Sequence, residues 1–206
     1  MAAIIFDFDG TIADSFDYVA DFMAEEAGVA PLSEEARQAL RGLSMAAMTR
    51  RLGFHWWQAI AVFFKGRRRM QQAIKDLDSF DGMPQLIRKL HAEGHELFVL
   101  STNSLRNVRR FLHQEKIHKY FLEVYGGAGM FGKAPALRQL LKDHQLNVEH
   151  AVYVGDELRD VEAAQSIGLR AVAVTWGFAN RKNLKEANPT ALADTPAELL
   201  RILEDI

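Results

Sequence analysis

Five short runs in this chain lack the polar alternation of a half-solvated strand: Ala3–Phe8, Leu97–Ser101, Val124–Gly126, Ala151–Gly155 and Ala171–Thr175. A sixth, weaker run lies at Ala191–Asp194. Strands of this composition are covered on both faces, which happens when they run parallel with helices packed above and below. Helical patterns fill the gaps between them. Ser104–Gln114 places Leu105, Val108, Phe111 and Leu112 on one face, Ala134–His144 repeats Leu137, Leu140 and Leu141, and Leu158–Ile167 carries Val161, Ala164 and Ile167. Gly168 follows the last of these where a helix would end. The alternation predicts an α/β fold with a doubly wound parallel sheet.

One segment breaks the rhythm. Residues 14–80 show helical patterns only: an apolar stripe of Phe16, Val19, Ala20, Met23 and Ala27, ended by Pro31, then a helix start at Ser33-Glu34-Glu35-Ala36. The charge is distributed to match. Ala36 to Lys75 holds nine Lys and Arg residues and no Asp or Glu, so the remainder of a chain with net charge −2 is strongly acidic. These features predict two units: an α/β core of residues 1–13 and 81–206, and a helical unit of residues 14–80 inserted after the first strand. At 206 residues the chain is long enough for both.

The sequence contains no cysteine, which excludes disulfides, thiolate metal sites and a cysteine nucleophile. Asp7 and Asp9 interrupt the apolar stretch that a secretory signal needs, and no stretch is long enough to span a bilayer. A cytoplasmic location is therefore expected.

In an open α/β sheet, ligands bind beyond the carboxyl ends of the strands. The first run ends in Asp7 and Asp9 and breaks at Gly10; the second ends in Ser101-Thr102-Asn103; Lys133 follows the third; the fourth ends in Gly155-Asp156, with Asp160 close behind. Carboxylates crowded together repel one another unless a counter-ion joins them. Mg²⁺ suits such a set, being a hard cation held by one or two carboxylates, water and phosphate oxygens. Ser101 and Lys133 remain to hold a phosphoryl group, and Gly10 allows a sharp turn that presents N–H groups to an anion.

With "DFDGT", "LSTN", "GKAP" and "VGDELRD" in that order, the chain resembles the haloacid dehalogenase-like hydrolase superfamily over essentially its whole length. "DVEAAQSIG" and "VAVTWGF" look like the branch that includes phosphoglycolate phosphatase. The resemblance implies a Rossmann-like core and makes residues 14–80 a cap domain. It implies a phosphatase in which Asp7 is the nucleophile and Asp9 the general acid and base. Asp7, the Asp9 carbonyl and Asp156 would hold Mg²⁺, with Asp160 a direct or water-mediated partner. Gly10, Ser101, Thr102, Asn103 and Lys133 would surround the phosphoryl group, the hydroxyl coming from Ser101 or Thr102. The expected partner is a small phosphorylated metabolite, with no nucleic acid and no membrane; monomer and homodimer are equally compatible with the sequence.

Other readings stand beside this one. A dehalogenase shares the fold but needs no leaving-group acid, so Asp9 argues against it. A phosphomutase would keep every motif. A non-catalytic metal-dependent binding module would have no need of Asp7, Asp9, Lys133 and Asp156 together. The segment "FHWWQAIAVFFKGRRR" suggests stacked bases, but helical spacing favours a cap helix with Trp56, Ile60, Phe63 and Phe64 inward, ended by Gly66. At least one of Arg50, Arg51, Arg67, Arg68 and Arg69 is expected to face the site and attract an anionic ester. Asp160 and Glu162 also suit the start of a helix; Asp160 is kept as a site residue and Glu162 is not, and Glu157 is read as a surface residue.

Overall fold

The structure is a computed structural model that describes the backbone of residues 1–29, 31–43, 45–128 and 132–205. The side chains at 45, 46, 56, 57, 59, 60 and 63 lie outside the described set. The six strands are β1 (Ala3–Phe6), β2 (Glu96–Leu100), β3 (Glu123–Tyr125), β4 (Ala151–Gly155), β5 (Arg170–Val174) and β6 (Ala191–Ala193). They form one sheet in the order β3-β2-β1-β4-β5-β6, and every pairing is parallel. Each coincides with an expected run to within about two residues, because buried parallel strands carry that continuous apolar signature.

Alternating side chains send Ile4, Phe6, Val152 and Val154 into one core layer and Ala3, Ile5, Ala151 and Tyr153 into the other. Helices cover both layers. The first four, α1 (Phe16–Glu26), α2 (Glu34–Leu40), α3 (Met45–Arg51) and α4 (Trp56–Ala73), all fall between β1 and β2. The rest are α5 (Met83–Ala92), α6 (Leu105–Gln114), α7 (Lys133–Asp143), α8 (Leu158–Gln165), α9 (Arg181–Glu186) and α10 (Pro196–Glu204).

Helices α1 to α4 carry most of a third apolar cluster, in which Phe16, Phe22, Met23, Leu40 and Met48 pack with Phe178 from the loop after β5. Ser33 caps α2 as its sequence suggests, its hydroxyl accepting from the Ala36 N–H at 3.2 Å. Two expectations for α4 fail. Gly66 does not end the helix, which runs on to Ala73. A Cβ there would lie 2.9 Å from the Phe22 ring, so the glycine marks close approach to α1. Phe64 is 47% exposed and does not pack inward; Trp56, Ile60 and Phe63 lie outside the described side chains.

No described helix is long and apolar enough to cross a membrane. The chain leaves β1 towards β2 and β3 on one side, while β4 to β6 extend the sheet on the other. The order therefore reverses between β1 and β4, and that is where such a sheet opens a crevice.

Candidate active site

Because Phe6 stands opposite Val154, the residues that follow β1 and β4 emerge together at this crevice. The Asp7 N–H extends the ladder by one bond, donating to the Val154 carbonyl at 2.8 Å. Asp7 and Asp156 are thus placed by strand register rather than by loop conformation. Asp160 joins them from the first turn of α8, and one oxygen from each of the three carboxylates lies within 4.8 Å of the others. All three are buried.

Lys133 comes from α7, which packs beside α8 in the same core layer. Gly132, at φ +83, turns the chain into α7 so that Lys133 is its first residue. The ammonium meets Asp7 Oδ2 at 2.6 Å and is also paired with Asp160. A lone lysine in such a sequence would ordinarily be solvated, but this one is 4% exposed.

Asp156 is held at both oxygens: the Thr11 hydroxyl donates to Oδ1 at 2.9 Å and the Phe178 N–H to Oδ2 at 2.7 Å. Asp160 is held likewise, by Lys133 and by the Glu157 N–H at 3.0 Å. It therefore combines the helix-start role with membership of the cluster. Glu157 is no plain surface residue: its side chain is 12% exposed and paired with Arg159.

Asp9 points elsewhere. Its Oδ1 accepts from the Ser15 hydroxyl at 3.0 Å, and its Oδ2 from the Asn103 amide at 3.1 Å. Asn103 closes back on the strand end, its N–H donating to Ser101 Oγ at 2.9 Å. Ser101 directly follows β2 and is fully buried, whereas Thr102 is part-exposed. The segment after β3 folds across them, with the N–H groups of Gly127 and Ala128 donating to the Asn103 and Ser101 carbonyls at 2.7 and 3.0 Å.

Gly10 makes the expected sharp turn at φ +77, but not for the expected reason. Its N–H donates to the Ala13 carbonyl at 2.9 Å and that of Thr11 to Phe8 at 3.3 Å, so these amides serve the turn itself. The glycine is needed because a Cβ would lie 2.2 Å from Asp156 Oδ2. Gly177 meets the same oxygen from the other side, at 2.3 Å for its own virtual Cβ. The Asp156 carboxylate therefore sits between two glycines.

The electrostatics follow from burial. Desolvation pushes Asp7 up to about 7, against the pull of Lys133. Burial, then the nearby Asp7 charge, raises Asp156 well above the usual carboxylate range. Asp9 is also raised by burial, less so because Asn103 and Ser15 donate to its charged form. For Lys133, burial disfavours the ammonium, but Asp160 and Asp7 outweigh it and hold the lysine well above its ordinary value. Three carboxylates against one lysine leave the cluster short of positive charge. The oxygen donors and this deficit fit a hard divalent cation.

Several of these partners carry no individual expectation from sequence. Thr11 and Ser15 were legible only as polar residues after a strand, and the Phe178 N–H has no side-chain signature. Arg69 faces α1, pairing with Glu25 at 2.7 Å. Arg67 lies nearer the crevice, Nη2 being 3.6 Å from the virtual Cβ of Gly127.

A parallel sheet with this set of carboxylates and a buried lysine at its switch point defines a class of hydrolase. Residues 4–174 match the family model described as haloacid dehalogenase-like hydrolase, and the chain belongs to that family. It is 37% identical to a phosphoglycolate phosphatase of Synechococcus elongatus, covering 100% of this chain and 99% of the relative. A phosphoglycolate phosphatase of Vibrio parahaemolyticus is 26% identical over 97% of this chain and 95% of its own. Among solved structures, a haloacid dehalogenase-like family protein from Streptococcus pneumoniae superposes with a TM-score of 0.82 at 25% identity, covering 98% of both chains. The protein is an enzyme, a hydrolase of the phosphatase kind.

Proposed function

We propose that the protein is a Mg²⁺-dependent phosphatase that hydrolyses a small phosphomonoester through an aspartyl-phosphate on Asp7. The observation that carries this reading is the division of labour between two neighbouring carboxylates. Asp7 lies in the metal-fitting cluster with Asp156 and Asp160, while Asp9 is turned away and held by Asn103 and Ser15.

An oxygen of Asp7 attacks phosphorus, and the ester P–O bond breaks. Asp9 gives its proton to the leaving alkoxide. Asp9 then takes a proton from water, whose oxygen attacks the phosphorus of the acyl phosphate, so that inorganic phosphate leaves and Asp7 is restored. Burial of Asp9 favours its neutral form, the direction that an acid in the first half of this cycle requires. Lys133 and Ser101 stabilise the charge on the transferring group, where catalysis of phosphoryl transfer chiefly resides.

Mg²⁺ would be held by Asp7, Asp156 and the Asp9 carbonyl. Asp160 has both oxygens engaged, which favours a water-mediated contact over a direct one. When bound, the ion supplies positive charge to the nucleophile and to the phosphoryl oxygens.

Residues 14–80 form the cap, supported by the apolar cluster that α1–α4 build against Phe178. A cap closing on the crevice shields an acyl phosphate from stray water. The names of the relatives favour phosphoglycolate as substrate. Assaying p-nitrophenyl phosphate with and without Mg²⁺, on wild type and Asp7→Asn, tests the reading. Turnover is expected only with metal, and Asp7→Asn should lose at least about 10³-fold. Metal-independent turnover, or an active Asp7→Asn variant, would refute it.

A further inference from the structure

Asn107 is a polar residue on the apolar face of α6, in line with Phe111 one turn on, and it is 1% exposed. Its amide nitrogen donates twice, to Asn103 Oδ1 at 2.9 Å and to the carbonyl of Arg67 in α4 at 3.1 Å. Asn103 in turn donates to Asp9 Oδ2 at 3.1 Å. An unbroken chain of hydrogen bonds thus runs from the Asp9 carboxylate through two amides to the backbone of α4.

The chemistry fixes the direction of every link. The Ser104 N–H donates at 2.8 Å to the same Asn103 atom that Asn107 meets. An N–H can only donate, so that atom is the oxygen, and the NH₂ of Asn103 must face Asp9. A carbonyl can only accept, so the Asn107 atom facing Arg67 is its nitrogen. Neither amide can turn over without setting donor against donor or acceptor against acceptor, which is costly where no water enters.

We propose that Asn107 is a positioning residue that couples the seating of α4 to the orientation of Asp9. With α4 seated, Asn107 is anchored at both ends and holds the Asn103 amide towards Asp9. With α4 lifted, Asn107 loses one anchor, and Asn103 is left with the Ser104 N–H as its one fixed partner in this chain of bonds. Asp9 keeps its bond from Ser15 throughout but is held firmly at both oxygens when the cap helix is in place, so that leaving-group protonation is faster after closure. The kinetic part of this proposal rests on the phosphatase reading; the structural coupling does not.

Asn107→Leu keeps the branched outline in a larger side chain and removes the NH₂ group that donates to both partners. The Asn103 oxygen retains its bond from Ser104. Hydrogen exchange in α4 should quicken by about tenfold in this variant and also in Asn103→Ala. Asn103 makes no contact with α4 in the chain of bonds, so a packing fault confined to position 107 would not produce the second effect; coupling is reciprocal and would. In kinetics, Asn107→Leu should lose about tenfold in kcat on an alkyl phosphate, and under about twofold on p-nitrophenyl phosphate, whose leaving group needs little protonation. Isosteric Asn107→Asp, which cannot donate to either partner when ionised, should reproduce that split. Unchanged α4 exchange in Asn103→Ala, or equal losses on the two esters, would overturn the proposal. A wild type with no phosphatase activity would overturn the functional reading, and the exchange measurement would still decide the coupling.

Discussion

Asp7 experiences two opposing influences, a buried setting that favours its neutral form and a lysine that favours its charge. Burial wins, and the folded value of about 7 stands above the ordinary 3.8. Between those values the folded chain keeps a proton that the unfolded chain has released. The stability contributed by this group is therefore complete below about pH 4 and is lost as the pH rises towards and through 7, at no more than about 1.4 kcal/mol per unit. Denaturant melts in EDTA should show falling stability over that window, a smaller fall in Asp7→Asn, and recovery on adding Mg²⁺. A metal-free protein whose stability rises across the window would contradict the assignment. At this scale the sequence was highly informative for the carboxylates and the lysine, because strand ends converge at a switch point. It was silent on Thr11, Ser15 and the Phe178 N–H, whose parts depend on loop geometry that no spacing encodes.

At the scale of elements, two of the seams that join α1–α4 to the rest of the described fold reach the site. One is the Asn107 bond to α4. The other centres on Phe178, whose N–H holds Asp156 while its carbonyl accepts from the Gly42 N–H at 2.6 Å. Arg41 reinforces it, donating to the Gly177 carbonyl at 3.1 Å with its guanidinium 4.1 Å from the centre of the Phe16 ring. Gly42 has φ +90, and a Cβ there would meet Asn180 Nδ2 at 2.2 Å. Gly42→Ala should cost about 1–2 kcal/mol through the left-handed conformation alone, lowering Tm by roughly 2–8 °C. It should also weaken Mg²⁺ binding several-fold by disturbing the Phe178 donor. Thermal melts and a Mg²⁺ titration check both, and unchanged metal affinity would detach this seam from Asp156. The six strands were readable because continuous apolar runs signal buried parallel strands. Gly66 was misread as a stop because a glycine required by close packing looks the same in sequence as one required by a turn.

At the scale of the molecule, the chain order separates the clustered carboxylates widely while the sheet reunites them. Asp7 and Asp156 stand 149 positions apart in the chain, yet their strands are neighbours in register. The basic stretch from Ala36 to Lys75 falls within the helical segment between β1 and β2, opposite in charge to the carboxylate-rich crevice. Fold class and family were legible because four motifs fall in order at strand ends. The seams between the helices and the sheet were not, since backbone carbonyls and N–H groups make most of their bonds.

Under the proposed reaction, phosphorus becomes covalently attached to one particular carboxylate. Acid quenching of the enzyme during turnover of a phosphomonoester with Mg²⁺, followed by peptide mass spectrometry, tests this directly. The expected result is a phosphoryl group on Asp7, absent when metal is withheld and absent from Asp7→Asn. Steady turnover with the label on another residue would contradict it, as would label-free Asp7 in a quench fast enough to precede hydrolysis.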